Sequence, residues 1–310
     1  MSNQSSPREQ YNSDGELSQA AIKENFDKAN KGLSLLSGPK ILLMGPSGTG
    51  KTYSIGTLVD WAAVSGKRVF VQFSENGLET LLGYWRDKSK PVPENLYWQQ
   101  MLTKPISLKG LINAADAVGK LSYESLTKMS DPNRGGENNA YMKLISACTT
   151  LKDDRTGKEQ GPIDELGLGW IFVQDSLSEL ANAAFKMQIG ARPTASPSDY
   201  GVAQNNLMNW LRFCTQGISS TYVLTAHISR ETDEITQSTK IMVKAVGKAM
   251  ANEIPQLFSD VILSVREADK FYWDTAAYGV DTKTRSLGYR SKLEPNFASI
   301  LEVWKKRSGA

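Results

Sequence analysis

An α/β fold built on a mostly parallel sheet is the architecture this sequence predicts, on three observations. Short apolar runs, ILLM (41–44), WIFVQD (170–175), TYVLTAH (221–227) and DVILSV (260–265), read as strands buried on both faces. Segments of helical length and spacing lie between them, and such alternation is the pattern of a parallel sheet. The third observation is GPSGTGKT (45–52), a glycine-rich turn that follows a strand directly and opens a helix.

With 310 residues, 40% hydrophobic and 22% charged, the chain can bury the core of one large domain or two small ones. Its 36 basic and 33 acidic side chains leave a net charge of +3, which neither demands nor excludes nucleic acid. No apolar stretch is long enough for a transmembrane helix, and the polar opening MSNQSSPREQYNSDGE carries no secretory apolar segment. Cys148 and Cys214 show neither a disulfide framework nor metal-ligand spacing, so a reducing, cytoplasmic setting is expected.

Residues 1–15 read as a polar tail. Within 17–33, Ile22, Phe26, Ala29 and Leu33 fall at helical spacing, which makes a short amphipathic helix that packs on its own core or on a neighbouring subunit. These pieces make an N-terminal segment, 1–37, ahead of one domain at 38–310. The domain opens with strand 40–44, the glycine-rich turn, and a helix from Lys51 to about Val64 stopped by Gly66. RVFVQF (68–73) has the β-branched and aromatic content of a strand, NLYWQQM (95–101) reads as another, and LKGLINAADAVGKL (108–121) as a helix. The polar region 128–168 is expected to be peripheral, loops around one helix at 139–151. A polar loop at 186–201 then leads to a helix near 200–216 with Leu207, Leu211 and Cys214 on one face. KFYWDTAA (270–277), KTRSL (283–287) and the final SILEVWKK complete the chain, with an antiparallel C-terminal extension.

Gly45, four free positions, then Gly50, Lys51 and Thr52 form the phosphate-loop pattern. Across Gly45, Pro46, Ser47, Gly48, Thr49 and Gly50, glycines let backbone N–H groups turn toward a phosphate. The helix that follows adds its unsatisfied donors. Lys51 is placed to reach the β- and γ-phosphates and the Thr52 hydroxyl to ligate magnesium, so ATP with Mg2+ is the expected ligand.

Open α/β sheets hold ligands beyond the carboxyl ends of their strands. There stand Glu75 after 68–73, Asp175 at the end of 170–175, and His227 after 221–226. Asp175 suits a second magnesium contact, and also the N-cap of the helix in SLSELANAAF. Glu75 fits a base that orients and deprotonates an attacking water, or a solvated acid opening the helix of GLETLLGYW. His227, the one histidine in the chain, fits a γ-phosphate sensor or a satisfied structural residue.

Phosphate loop, then VFVQFSENGLE, WIFVQDSLSEL and VLTAHISR, taken in order, resembles the RecA-type ATPase core shared by recombinases and replicative hexameric helicases. More narrowly, SPSDYGVAQNNLMNWL, VLTAHISRETDE, VGKAMANEIPQLFSDVI and TKTRSLGYR resemble small phage-encoded RecA-core ATPases, some of which act in single-strand annealing recombination. The resemblance covers roughly 38–304 and implies a RecA-like P-loop fold, ATP hydrolysis, and a host-cytoplasm location if the chain is phage-encoded. It implies that Glu75 activates water, Asp175 serves magnesium, and His227, where recombinases commonly have Gln, relays the γ-phosphate state to a DNA-binding loop. Two mobile loops, 186–201 with Lys186, Arg192 and Tyr200, and 229–247 with Arg230, Lys240 and Lys244, are implied to face single-stranded DNA. Glu231, Asp233 and Glu234 dilute the second. A homo-oligomer, ring or filament, is implied as well. In it Lys283, Arg285 and Arg290, foremost the two arginines, reach a neighbour's nucleotide; read plainly, they are a solvated basic edge strand. A helicase or translocase motor, and a nucleotide-switched assembly protein that binds no DNA, stand as alternative activities.

Overall fold

Every residue of β1 (Lys40–Met44) is buried. It shows no polar alternation because β5 (Thr221–Ala226) pairs with it in parallel on one side and β8 (Asp260–Glu267) on the other. The computed structural model describes residues 36–102, 107–122, 124–125, 139–190, 192, 195–232 and 238–308. The tail at 1–15 and the helix expected at 17–33 lie outside them. Beyond β5 come β4 (Trp170–Asp175), β2 (Arg68–Phe73) and β3 (Leu96–Gln100), giving the order β3-β2-β4-β5-β1-β8-β9. All pairings are parallel until β9 (Lys270–Asp274), which runs antiparallel to β8.

Successive β1 side chains feed two cores. Leu42 and Met44 join one face with α4 (Ala140–Ser146), α5 (Leu177–Ile189), α6 (Pro197–Arg212) and α7 (Lys248–Glu253). Ile41 and Leu43 join the other with α1 (Lys51–Val64), α2 (Leu78–Arg86) and α8 (Ala298–Ser308). The helix expected at 108–121 is α3 (Leu108–Gly119), whose Ser107 cap accepts from the Gly110 N–H at 3.1 Å. Cys148 and Cys214 are buried and free. Among the described residues no helix is long and apolar enough to cross a membrane.

The described part of 128–168 is not peripheral. Tyr141, Leu144, Cys148, Leu151, Ile163 and Leu166 are core residues. The cause is a pair of glutamines that register sets side by side in β2 and β4. The Gln174 amide donates to Gln72 Oε1 at 2.9 Å, and the Gln72 amide donates to the Leu144 carbonyl at 2.9 Å. Trp210 and Tyr222 donate to Gln174 Oε1 at 3.1 and 2.9 Å. Buried amides need partners, and satisfying this one brings α4 onto the sheet.

Three further segments differ from expectation. The loop placed at 186–201 is shorter, since α5 continues to Ile189 and α6 starts at Pro197 behind a Ser196–Asp199 capping box. The loop placed at 229–247 is mostly a hairpin of β6 (Ile228–Thr232) and β7 (Thr239–Val243), with Glu231 directly opposite Lys240. Its tip, 233–237, lies outside the described residues. Residues 283–287 are not a strand beyond one bridge from Lys283 to Val261. Asp260, wholly buried, accepts from the Thr284 hydroxyl at 3.0 Å and from the Arg285 and Ser286 N–H groups at 2.9 and 3.1 Å, and so bends the chain into a turn.

Both borders of the sheet are covered. Outside β3, Asp153 accepts from the Trp98 N–H at 3.0 Å and Asp154 from the Gln100 N–H at 2.7 Å, while the Asp154 N–H donates to the Trp98 carbonyl at 2.8 Å. Outside β9, Trp273 and Leu293 exchange two backbone bonds of 2.8 and 2.9 Å, and the Thr275 N–H donates to the Arg290 carbonyl at 3.0 Å.

Candidate nucleotide site

Parallel pairing sets the strand ends level. Met44 stands beside Ala226, and Phe73 beside Asp175. The residues that follow therefore open on one rim, around a cavity of about 460 Å3 lined by Ser47 to Thr52, Glu75 to Gly77, Thr80, Asp175, Ser176 and His227. Gly45 and Pro46, also expected in the site, are not among its lining residues and meet it only through Lys51. The Lys51 ammonium donates to their carbonyls at 2.9 and 2.7 Å, which curls the loop around its own lysine. Gly50, with φ 80°, caps α1 in the left-handed region that a side chain strains to adopt. The Thr49 carbonyl accepts from Ser264 of β8 at 2.8 Å, and this pins the loop to the sheet.

Lys51 is buried, and desolvation pushes its ammonium below the usual lysine range, opposed by the charges of Asp175 and Glu75. Asp175, also buried, is pushed above the usual carboxylate range by the same cause. Bonds from the Thr225 hydroxyl to Oδ1 and from the Thr52 hydroxyl to Oδ2, the latter 2.8 Å, oppose that shift. Glu75 is held below the usual range, first by the hydrogen bond from His227, whose Nε2 lies 3.2 Å from Oε2, against desolvation, and then by the Ser176 hydroxyl.

Thr52 and Asp175 present two oxygens within hydrogen-bond distance of each other at the cavity wall, a donor pair that suits a hard cation such as Mg2+. Among the described residues no group of three or more His, Cys, Asp and Glu converges as a metal cage. A cation here would take its other ligands from phosphate and water.

Of the residues expected to form the site, the structure brings together Ser47, Gly48, Thr49, Gly50, Lys51, Thr52, Glu75, Asp175 and His227. It leaves Arg285 and Arg290 apart. Arg285 is tied to Asp260, the first residue of β8, four positions before Ser264, which bonds the phosphate loop. Arg290 is held outside β9 by Thr275, whose hydroxyl accepts from its N–H at 3.0 Å.

Sequence reasoning passed over Gly77, Ser178 and Thr225, and met Ser176 only as the neighbour of Asp175, with no role. A Cβ at Gly77 would stand 2.8 Å from Asp175 Oδ2, so only glycine lets the start of α2 approach that carboxylate. Thr225 carried a signal, a hydroxyl next to the site end of a wholly buried strand. Ser178 carried none, and it is the acceptor at 3.0 Å for the His227 N–H. The His227 carbonyl in turn accepts from the Lys244 N–H at 2.8 Å. His227 thus touches Glu75 with its ring and the end of the β6–β7 hairpin with its backbone. No protein-family model matches this chain, and no curated protein matches it.

Proposed function

We propose that this chain is a magnesium-dependent ATPase of RecA-like P-loop architecture that acts on single-stranded DNA in recombination or annealing, as a ring or filament of identical subunits. The observation that carries the reading is the convergence of Lys51, Thr52, Glu75, Asp175 and His227 on one 460 Å3 cavity at the strand ends. Backbone donors of the loop and the Lys51 ammonium hold the phosphates. A second cleft of about 430 Å3 shares Gly50 and is walled by Tyr53, Tyr84, Phe271 and Tyr272, and it accommodates the nucleoside. In hydrolysis a water oxygen bonds to the γ-phosphorus, the bond to the β–γ bridging oxygen breaks, and its electron pair leaves with ADP. Glu75 takes the proton of that water. Bound magnesium, held by Thr52 and Asp175, supplies neutralisation of phosphate charge.

Support for the nucleic-acid half is a cavity of about 340 Å3 between α5, α6 and the end of β7, lined by Phe185, Tyr200 and Lys244 among others. Tyr200 is exposed and lies 4.7 Å from the Phe185 ring, centroid to centroid, so an aromatic face and a cation stand together as single-strand binding requires. The test is ATP turnover with magnesium, measured without DNA, with single strands and with duplex. Stimulation by single strands without unwinding is expected, and Lys51→Ala is expected to lose nucleotide binding itself. Unwinding would favour a helicase or translocase motor, and indifference to DNA an assembly switch.

The two bonded faces of His227 give a further expectation. DNA affinity is expected to differ between ATP and ADP by about 5–150-fold, the usual span of coupling between sites. His227→Ala should bring that ratio close to one while nucleotide affinity changes little. Fluorescence anisotropy of a labelled oligonucleotide measures it, and an unchanged ratio would dissociate His227 from the coupling.

A further inference from the structure

We infer that Ser176 is a positioning residue for the Glu75 carboxylate, aiming the second oxygen of Glu75 at the attacking water. This rests on the reading of Glu75 as the base. A carboxylate has two oxygens, and here they have different neighbours. Oε1 accepts from the Ser176 hydroxyl, while Oε2 faces His227 at 3.2 Å. Ser176 is 1% exposed, whereas the Glu75 side chain keeps 31% of its exposure, so a buried hydroxyl anchors a carboxylate whose side chain lines the cavity.

The anchor is itself fixed. The Ser176 N–H donates to Ser74 Oγ at 2.9 Å, and the Ser74 hydroxyl lies 3.2 Å from the carbonyls of both Asp175 and Ser176. The Ser74 N–H donates to the Asp175 carbonyl at 2.7 Å. These bonds stitch the tip of β2 to the tip of β4, and the base stands on one while its anchor stands on the other. With Oε1 taken by that hydroxyl, the lone pair of Oε2 that His227 does not use is left to receive the proton of water while the phosphorus–oxygen bonds exchange. Without that hydroxyl the side chain of Glu75 turns about its own bonds, held by His227 alone, which is itself partly exposed.

Because the role is orientation, the loss should fall on kcat. Misplacing a reacting group by about 1 Å costs on the order of 100-fold in rate, so Ser176→Ala is expected to lower kcat by about 10–100-fold with KM and nucleotide affinity nearly unchanged. Ser176→Thr, which keeps the hydroxyl, is expected to recover most of that rate. The deciding measurement is a double-mutant cycle with Glu75→Gln, read by single-turnover hydrolysis of labelled ATP. A residue that acts through Glu75 has nothing to position once the base is gone, so Ser176→Ala should not slow the Glu75→Gln protein further. The inference is overturned by an unchanged kcat in Ser176→Ala, by a parallel loss of nucleotide affinity, or by the same fold loss in both backgrounds. A parent-like rate in Glu75→Gln alone would strike the assignment of the base, and the inference with it.

Discussion

An Arg285→Ala/Arg290→Ala protein mixed with a Glu75→Gln protein is expected to regain ATP turnover that neither shows alone. Charge that builds on the γ-phosphate oxygens needs positioned cations, and an arginine supplied from outside the site contributes about 10³–10⁵ in rate. Within the described residues, Lys51 is the one lysine or arginine among the side chains lining this cavity, beside His227. The two arginines do not complete it in their own chain. From Asp260, where the Arg285 turn is clamped, to Ser264, which bonds the phosphate loop, β8 rises about 13 Å, farther than an arginine side chain spans. Asp260 and Thr275 nevertheless fix the backbone at both arginines, which are exposed, a setting that suits a neighbour's nucleotide. In a mixture some interfaces would pair an intact Glu75 with intact arginines. No recovery in mixtures that exchange subunits, or full activity from a dilute monomer, would refute the shared site.

Glu75→Gln alone should bind nucleotide and lose about 10²–10⁴ in turnover, the usual range for a general base. Glutamine keeps the shape and can still accept from Ser176, but it cannot take a proton. The pH dependence has a definite sign. Hydrogen bonds from His227 and then Ser176 hold the Glu75 carboxyl below its ordinary value against desolvation, so its basic form persists into more acid solution. Turnover dependent on Glu75 should fall only as pH drops through that lowered value, and removing the His227 ring should move the acid limb upward. Stopped-flow phosphate release across pH measures both, and normal turnover in Glu75→Gln would remove this residue from the chemistry.

The centre of the sheet was legible because its strands are buried on both faces. ILLM, RVFVQF and WIFVQD carry their assignment in composition, and the β1 to β5 pairings follow the alternation with helices. The polar rim at the strand ends was legible for a related reason, since a polar residue just past such a run can point only to one end of the sheet. The polar segment after α4 misled because its buried residues are scattered, and what holds it is a glutamine pair whose adjacency exists only in the register of β2 and β4. The hairpin of β6 and β7 misled in another way. ISRET and TKIMV carry weak alternation, and the charges that a linear reading sees as dilution find partners elsewhere in the fold, Glu231 with Lys248 and Lys240 with Asp281. Ser176 was visible beside Asp175, yet its role needs the tip of β2, which lies 101 positions earlier than the hydroxyl it meets.

The covered borders of the sheet bear on how copies of this chain could meet. An uncovered edge strand invites another chain to continue the ladder, and many proteins associate or aggregate by that route. Here Asp153 and Asp154 occupy the outer N–H groups of Trp98 and Gln100, and Leu293 and Arg290 occupy those of Trp273 and Thr275. Strand-to-strand growth would first have to strip away a buried carboxylate on one side and a paired backbone segment on the other. Association would then be left to side chains, whose contacts can form and release during a reaction cycle without extending the sheet. Among the described residues, the seven-stranded sheet thus offers neither border as a ready template for a second chain.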